Sequence, residues 1–479
     1  MESRVQQLHI MFFPHLSHGH MIPTIDMARV FARHGVKVTI ISSPLNAPLI
    51  SEILEKDKQI GLEIGIRIIK FPSAEAGLPE GCENLASTTS PQMFNNFFKA
   101  LSLLQQPLEE ILEECRPNCL VADTAFPWAT EVAAKFGIPR LIFHGTSYFA
   151  ICAFLCILRY EPHKNTVSDS EYFTLLGLPD HIQMTKLQQP SYFNGVDDEQ
   201  KKMADLSVQS EVTSYGVLGN SFKELEPAYS EHYRNVLGRK AWNVGPVSLC
   251  NKEIEEKSLR GKAASIDTHE CLKWLDSKQP NSVLYISFGS KYKFPHAQLL
   301  EIAKGLEAAG QDFIWVIKNE DKDELLEEFE QRITKNKKGL IIKGWAPQVL
   351  ILENEAVGGF MTHCGWNSVL ESISNGVPMI IWPLYAEQFY NEKLVTQILK
   401  AGVSVGAKEC SRSIDAKKIS VKKEDIEKSM KRLMVGEEGE EIKRRAKELK
   451  EMARRAVEEG GSSYSDIRDF LEEMRANFG

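Results

Sequence analysis

Short apolar, β-branched runs alternate with longer amphipathic stretches along nearly the whole chain, and this alternation limits the fold more than any other feature. The runs are Leu8–Phe13, Val36–Ser42, Ile66–Phe71, Cys119–Ala122 and Arg140–Phe143 in the first half. In the second they are Ser282–Ser287, Phe313–Ile317, Gly339–Ile342, Val357–Met361 and Pro378–Trp382. Most are apolar throughout rather than at every second residue, as in parallel strands covered on both faces. Parallel neighbours need crossover connections, and the helical stretches supply them. The expected architecture is therefore α/β, with doubly wound sheets.

The alternation lapses once. Between Val247 and Ile266 the chain turns polar and charged, and each flank holds enough strands for a sheet of its own. The 479 residues are expected to form two Rossmann-like domains, 1–247 and 266–460, joined by a linker at 248–265 and facing each other across a cleft. A C-terminal helix at about 461–479 is expected to pack back on the first domain. The Lys- and Glu-dense stretch Ser413–Arg455 reads as solvated amphipathic helices.

Composition narrows the function. Acidic residues outnumber basic ones by 65 to 57, and there is no basic stripe of the kind a phosphate backbone requires, so no nucleic-acid partner is expected. The longest apolar run, Tyr148–Leu158, is about half the roughly 20 residues of a membrane-spanning helix. Leu8–Pro14 is followed by no cleavage-site pattern, so no secretory signal is expected. The nine cysteines form no CxxC pair and no metal-ligand spacing. A reduced, cytoplasmic protein without a bound metal is expected. It is also expected to act as a monomer.

The segment Trp345–Gln388 carries the chemistry. Val357–Met361 is a buried strand, Thr362-His-Cys-Gly365 a turn beyond its carboxyl end, and Trp366-Asn-Ser368 the opening of a helix, with Asn367 or Ser368 suited to cap it. Free N–H groups and the helix dipole make this an anion site. His363, Asn367 and Ser368 add side-chain donors. Glu371 shares the face of Asn367 and Ser368 and suits ribose hydroxyls. No G-x-G-x-x-G is present, which weighs against a dinucleotide. Trp345 lies in a loop at the carboxyl end of a strand, where ligands bind in open α/β sheets and a Trp can stack on a base. Glu387 and Gln388 suit a ring of sugar hydroxyls.

This 44-residue segment resembles, without a gap, the signature box of plant family 1 UDP-dependent glycosyltransferases. Gly19–Pro23, Asn220–Glu226 and Ser287–Ser290 agree with the same family, and Gly77–Glu83 resembles its flavonoid, coumarin, triterpenoid and steroid subgroup. The resemblance implies a GT-B fold and UDP-glucose as co-substrate, with no further cofactor. By the same analogy Trp345 stacks on uracil and the Ala346 backbone pairs with its edge. Gln348 and Glu371 hold the ribose, and Ser290, His363, Asn367 and Ser368 the diphosphate. Trp366, Glu387 and Gln388 contact the sugar, and Thr146 reaches its O6. Gln at 388 goes with glucose, and Trp rather than Arg at 366 goes against glucuronic acid.

Of the three histidines in the first loop, His15, His18 and His20, position favours His20 as the general base. Strand one ends near Pro14, Pro23 suits the first turn of the next helix, and His20 sits at the junction. A nearby helix N-terminus should keep its imidazole neutral. The family's base falls here, and its catalytic Asp falls on Asp123, which would hold the His20 tautomer and balance the imidazolium. The implied reaction is a single inverting displacement that yields a β-glucoside of a hydrophobic plant hydroxyl compound. One alternative keeps the fold but uses another UDP-sugar or extends a sugar chain on a saponin, and a non-catalytic nucleotide-sugar binder is the alternative of another class. Asp321-Lys-Asp323 is formally a D-x-D metal motif, but its surroundings read as a solvated charge run. Phe126, Trp128, Phe149, Met184 and Phe193, from aromatic or Met loops of the first half, are the expected acceptor-pocket residues.

Overall fold

A computed structural model of the chain describes residues 7–190, 193, 198–318, 324–411 and 420–478. Among these, fifteen strands form three sheets. The first sheet contains β1 (His9–Phe13), β2 (Lys37–Ser42), β3 (Ile64–Ile68), β4 (Cys119–Asp123) and β5 (Arg140–His144). An antiparallel hairpin of β6 (Tyr172–Thr174) and β7 (Gln183–Thr185) follows, and β8 (Gly216–Gly219) and β9 (Ala241–Asn243) return to the first sheet. The second sheet contains β10 (Val283–Ser287), β11 (Asp312–Ile317), β12 (Gly339–Lys343), β13 (Val357–Thr362), β14 (Met379–Ile381) and β15 (Gly402–Ser404).

Both large sheets are parallel throughout, in the orders β3-β2-β1-β4-β5-β8-β9 and β12-β11-β10-β13-β14-β15. The strand order reverses between β1 and β4 in one and between β10 and β13 in the other. Loops leaving the carboxyl ends there diverge and open a crevice.

The third run differs from expectation. Pairing with β2 covers Ile64–Ile68 rather than Ile66–Phe71, because Ile69 and Phe71 turn into the core beyond the last ladder bond. The strands β8, β9 and β15 are only three or four residues long and form no long apolar run in the sequence.

The residues between the sheets pack rather than trail. Arg29 is buried and ion-paired to Asp57 (2.5 Å) and to Glu256 of the linker (2.6 Å). The linker also folds a short helix, Ile254–Ser258. The helix Ser462–Phe478 lies against the first sheet, with Phe470 edge-on to Phe31 and Trp242. Its Asp466 accepts from Arg234 and from the Asn243 backbone N–H. Lys423–Met434 and Glu437–Val457 are helices with buried apolar stripes and charged outer faces, as their spacing suggested. No helix among the described residues is long and apolar enough to cross a membrane.

Candidate functional site

The His20–Asp123 pair forms where the first sheet reverses its order. β4 ends on Asp123, and beside it the chain leaving β1 starts the helix His18–Arg33. His20 lies in the first turn of that helix. Its Nδ1 is 2.7 Å from Asp123 Oδ2. The carboxylate is fully buried, whereas the imidazole keeps 38% of its side-chain surface open. The other carboxylate oxygen accepts from the Ala125 N–H, so Asp123 caps the local turn and orients His20 at once. With Nδ1 donating to the carboxylate, Nε2 is the basic nitrogen.

The charge balance at His20 differs from expectation. Burial opposes the imidazolium, but the Asp123 charge and hydrogen bond, with Glu387 adding to them, lift the His20 pKa above its usual 6.5. A carboxylate at 2.7 Å outweighs a helix terminus, which contributes only about 0.3–1 kcal/mol. Asp123 itself stays ionised. Burial pushes its pKa up, yet the His20 charge and hydrogen bond bring it well below the carboxylate range. His15 and His18 have no such partner. Burial, reinforced by His20 and Lys291, presses His15 down to about 3, and burial with the Lys262 charge presses His18 to about 4.

Pro23 is the sixth residue of its helix, not part of the first turn. Proline has no N–H to give to the carbonyl four residues back, which is that of Gly19. The Gly19 oxygen instead accepts from Asn367 Nδ2 at 2.6 Å, and this bond ties the His20 helix to the second sheet.

The second half of the site forms where the second sheet reverses. The loop after β10 carries Gly289 and Ser290, and the turn after β13 carries His363, Cys364 and Gly365. A Cβ on Gly289 would fall 2.8 Å from His363 Nε2, and one on Gly365 would fall 2.6 Å from it. Only glycines let the backbone approach the imidazole this closely. Burial drives His363 to about 4, so it is a neutral donor rather than a charge. Cys364 takes a left-handed φ of 65°, which aims the turn at the helix Trp366–Asn375. The N-cap of that helix is Gly365, without a side-chain cap, so Asn367 and Ser368 fall inside the first turn and its N–H groups stay available to an anion.

Around this terminus, Gln348 Nε2 bonds Glu371 Oε2 (2.7 Å) and Ser368 Oγ (3.2 Å), while Tyr285 donates to Gln348 Oε1. Trp345 is half-buried, with its ring 5.6 Å from that of His18. Gly261 of the linker lies so close that a Cβ there would be 2.4 Å from the Trp345 ring. The neighbouring Arg260 bridges Asp26, on the His20 helix (2.7 Å), and Glu371, on the helix Trp366–Asn375. Spacing gave no sign of Arg260, because its partners stand far away in sequence.

Several expected contacts are corrected. Trp366 is 1% exposed and its Nε1 donates to the Asn220 carbonyl, so its indole locks the two halves together and only its backbone can face a sugar. Gln388 Oε1 accepts from the Leu384 and Tyr385 N–H groups, leaving its Nε2 for a ligand. Thr146 Oγ1 is buried without a partner, as is Asn367 Oδ1. Glu387 is half-buried, its pKa raised by burial. The Ala346 side chain is buried.

Among the acceptor candidates, Phe126, Phe149 and Met184 are core residues. Phe126 stacks on Phe13 at 4.0 Å, and Phe149 meets Tyr229 edge-on. Large apolar side chains that begin a helix or sit in a hairpin bury their own element. Trp128 and Phe193 are half-buried, against Phe13 and Phe154 respectively. The rings beside His20 are others: His15 lies 5.0 Å from it, Phe98 6.0 Å from His15, and Phe94 4.9 Å from Phe98. Phe94 and Phe98 sit four apart on the helix Pro91–Leu103, a helical spacing that could have identified them. Asp321-Lys-Asp323 lies outside the described residues. Among those described, no cluster of three or more His, Cys, Asp or Glu has metal-binding geometry.

A family model described as UDP-glucoronosyl and UDP-glucosyl transferase matches residues 220–437. The chain is 54% identical to scopoletin glucosyltransferase of Nicotiana tabacum over 98% of both chains. It is also 54% identical to UDP-glucose flavonoid 3-O-glucosyltransferase 7 of Fragaria ananassa, over 98% of this chain and 96% of that one. The crystal structure of Glycyrrhiza uralensis UGT73P12 with glycyrrhetinic acid 3-O-monoglucuronide superimposes with a TM-score of 0.92 at 42% identity, covering 98% of this chain and 96% of that one.

Proposed function

The chain belongs to the UDP-glucuronosyl and UDP-glucosyl transferase family, with its GT-B fold, and from that premise we propose that it transfers glucose from UDP-glucose to a hydroxyl of a hydrophobic plant small molecule, giving a β-O-glucoside. One observation carries the reading. The Gly19–Asn367 bond joins the helix of the imidazole–carboxylate pair to the N-terminus of the donor-side helix, so a base and an anion cradle face one space.

In the proposed mechanism, Nε2 of His20 removes the acceptor proton as the hydroxyl oxygen attacks the anomeric carbon. The bond from that carbon to the diphosphate oxygen breaks, and UDP leaves on the opposite face. Asp123 balances the imidazolium. The charge leaving with UDP meets the free N–H groups after Gly365 and the donors of His363, Asn367, Ser368 and Ser290. Trp345 and the Ala346 backbone hold the uracil, and Gln348 and Glu371 the ribose. Glu387, Gln388 Nε2, Thr146 Oγ1 and the Trp366 backbone hold the hexose. The unpartnered Thr146 hydroxyl supports its part in this, since a buried hydroxyl costs free energy until a ligand oxygen bonds it.

Phenolic acceptors are supported by the names of the curated relatives. A second reading, extension of a sugar already on a triterpenoid, is favoured by the ligand of the structural relative. All nine cysteines carry free thiols, in keeping with a cytoplasmic enzyme, and the proposed site lies within one chain, in keeping with a monomer. The test mixes the protein with UDP-glucose and separate phenol and saponin panels, following UDP release and product mass. Release with a gain of one hexose and a β anomer is expected. No release with any acceptor would sink the proposal, and a hexose gain confined to the saponins would select the second reading.

A further inference from the structure

Lys291 follows Ser290 in the loop leaving β10 and places a cation beside the acceptor side of the cleft. Its Nζ stands 4.7 Å from the ring centre of Phe94, on the helix Pro91–Leu103, and 5.7 Å from that of Tyr385, in the second half of the site. Phe94 leads through Phe98 and His15 to His20 in successive ring contacts of 4.9, 6.0 and 5.0 Å. The ammonium therefore lies on the same aromatic wall as the basic imidazole. Lys318 Nζ donates to the Lys291 carbonyl at 2.9 Å and fixes the backbone beneath it.

Other cations of the cleft contrast with it. Arg29 is paired with Asp57 and Glu256, and Arg260 with Asp26 and Glu371. Among the described residues, Lys291 pairs with no carboxylate and meets only ring faces. Ring faces compensate a desolvated ammonium only in part. Burial lowers its pKa to about 8, so most of the amine is still protonated at pH 7. A carboxylate of a bound molecule would supply the counter-charge that the described residues lack.

We propose that Lys291 is an acceptor-recognition residue that binds a carboxylate of the acceptor while a separate hydroxyl of the same molecule faces His20. The inference rests on the glucosyl-transfer reading of the cleft and narrows its acceptors to acidic ones, phenolic or triterpenoid acids. The carboxylate would lie on the Phe94 wall and complete the charge balance of the ammonium. An acceptor with no anionic group would bind the same wall and leave the ammonium unpaired.

The test compares 4-hydroxybenzoate and 4-hydroxycinnamate with their methyl esters, two spans between hydroxyl and carboxylate. Equilibrium binding is measured on the UDP-loaded protein, and kcat/KM with UDP-glucose. The parent should prefer at least one acid to its ester about tenfold or more, and Lys291→Met should cut that preference about 10- to 100-fold, the range for a charged hydrogen bond. Lys291→Arg should retain most of it. Equal binding of acid and ester by the parent overturns the proposal. So does an unchanged preference in Lys291→Met, or a loss that falls on UDP affinity instead. Because the binding arm needs no turnover, Lys291-dependent acid binding without glucose transfer would sink the proposed reaction and leave this site standing.

Discussion

His20 and His363 face one cleft from opposite sheets, and their surroundings differ in kind. His20 is governed by charge: a buried carboxylate holds its Nδ1 and raises its pKa. His363 is governed by shape: two glycines let the backbone close on the ring, and burial keeps it neutral. In the proposed reaction one half of the site takes up a proton, and the other surrounds an anion without titrating. A change on the first side should therefore appear in kcat and its pH profile, and a change on the second in the donor KM.

The strongest challenge to that division is His20→Ala. It should lower kcat by about 10²–10⁴-fold, the range for general base catalysis, with UDP affinity by calorimetry unchanged. A joint loss of kcat and UDP binding would mean that the halves are not separable. Asp123→Asn tests the charge itself. The base acts only when neutral, and its pKa lies above 6.5, so kcat/KM should rise with pH along a limb whose midpoint exceeds 6.5. Removing the carboxylate leaves burial as the main influence and should move the midpoint below that value, with a large fall in the plateau rate. A limb that stays in place would remove Asp123 as the partner that sets it.

On the other side, Gly365→Ala adds a methyl group 2.6 Å from His363 Nε2. Overpacking of this kind costs about 1–3 kcal/mol, so the donor KM should rise about tenfold or more while the pH limb stays where it was. A shifted limb would show that shape and charge are coupled across the cleft.

The same division explains what could be read from the sequence. Apart from Ser290 and Thr146, the proposed donor side lies in one unbroken segment, Trp345–Gln388, so spacing alone suggested a strand, a turn, a helix N-terminus and the carboxylate on its face. The proposed catalytic side draws on His20 and Asp123, more than a hundred residues apart, and only the order of parallel strands joins them. That pair could be suspected because each residue closes a strand–loop junction at the switch point. The acceptor wall offered no such cue. Phe126, Phe149 and Met184 read as loop residues in the sequence, but each begins or supports an element and is buried by it. Phe94 and Phe98 occupy a helix face and look like any amphipathic stripe. Arg260 lay in a stretch read as linker because its carboxylates come from both domains.

Arg260 ties the two sides together, and its loss should register between them. Arg260→Ala leaves Asp26 and Glu371 without their cation, so thermal stability should fall and the donor KM rise. Arg260→Lys keeps the charge but cannot fork to both carboxylates. It should raise the donor KM several-fold with little change in kcat. An equal fall in kcat would make the bridge part of the transition-state machinery rather than a support for Glu371.

The smallest expected effect sits at Pro23, where stability and function should move in opposite directions. Proline inside a helix costs up to about 3 kcal/mol relative to alanine, so Pro23→Ala should raise the melting temperature. The new N–H would reach for the Gly19 carbonyl, four residues back, which now accepts from Asn367 Nδ2. Sharing that oxygen weakens the bond that holds the His20 helix over the donor-side helix. One neutral hydrogen bond contributes about 0.5–1.5 kcal/mol, so the donor KM should rise a few-fold in a protein that melts later. A stabilised variant with an unchanged donor KM would mean that the carbonyl freed by Pro23 does not help close the cleft. Trp366 and Arg260 would then hold the two sides together without it.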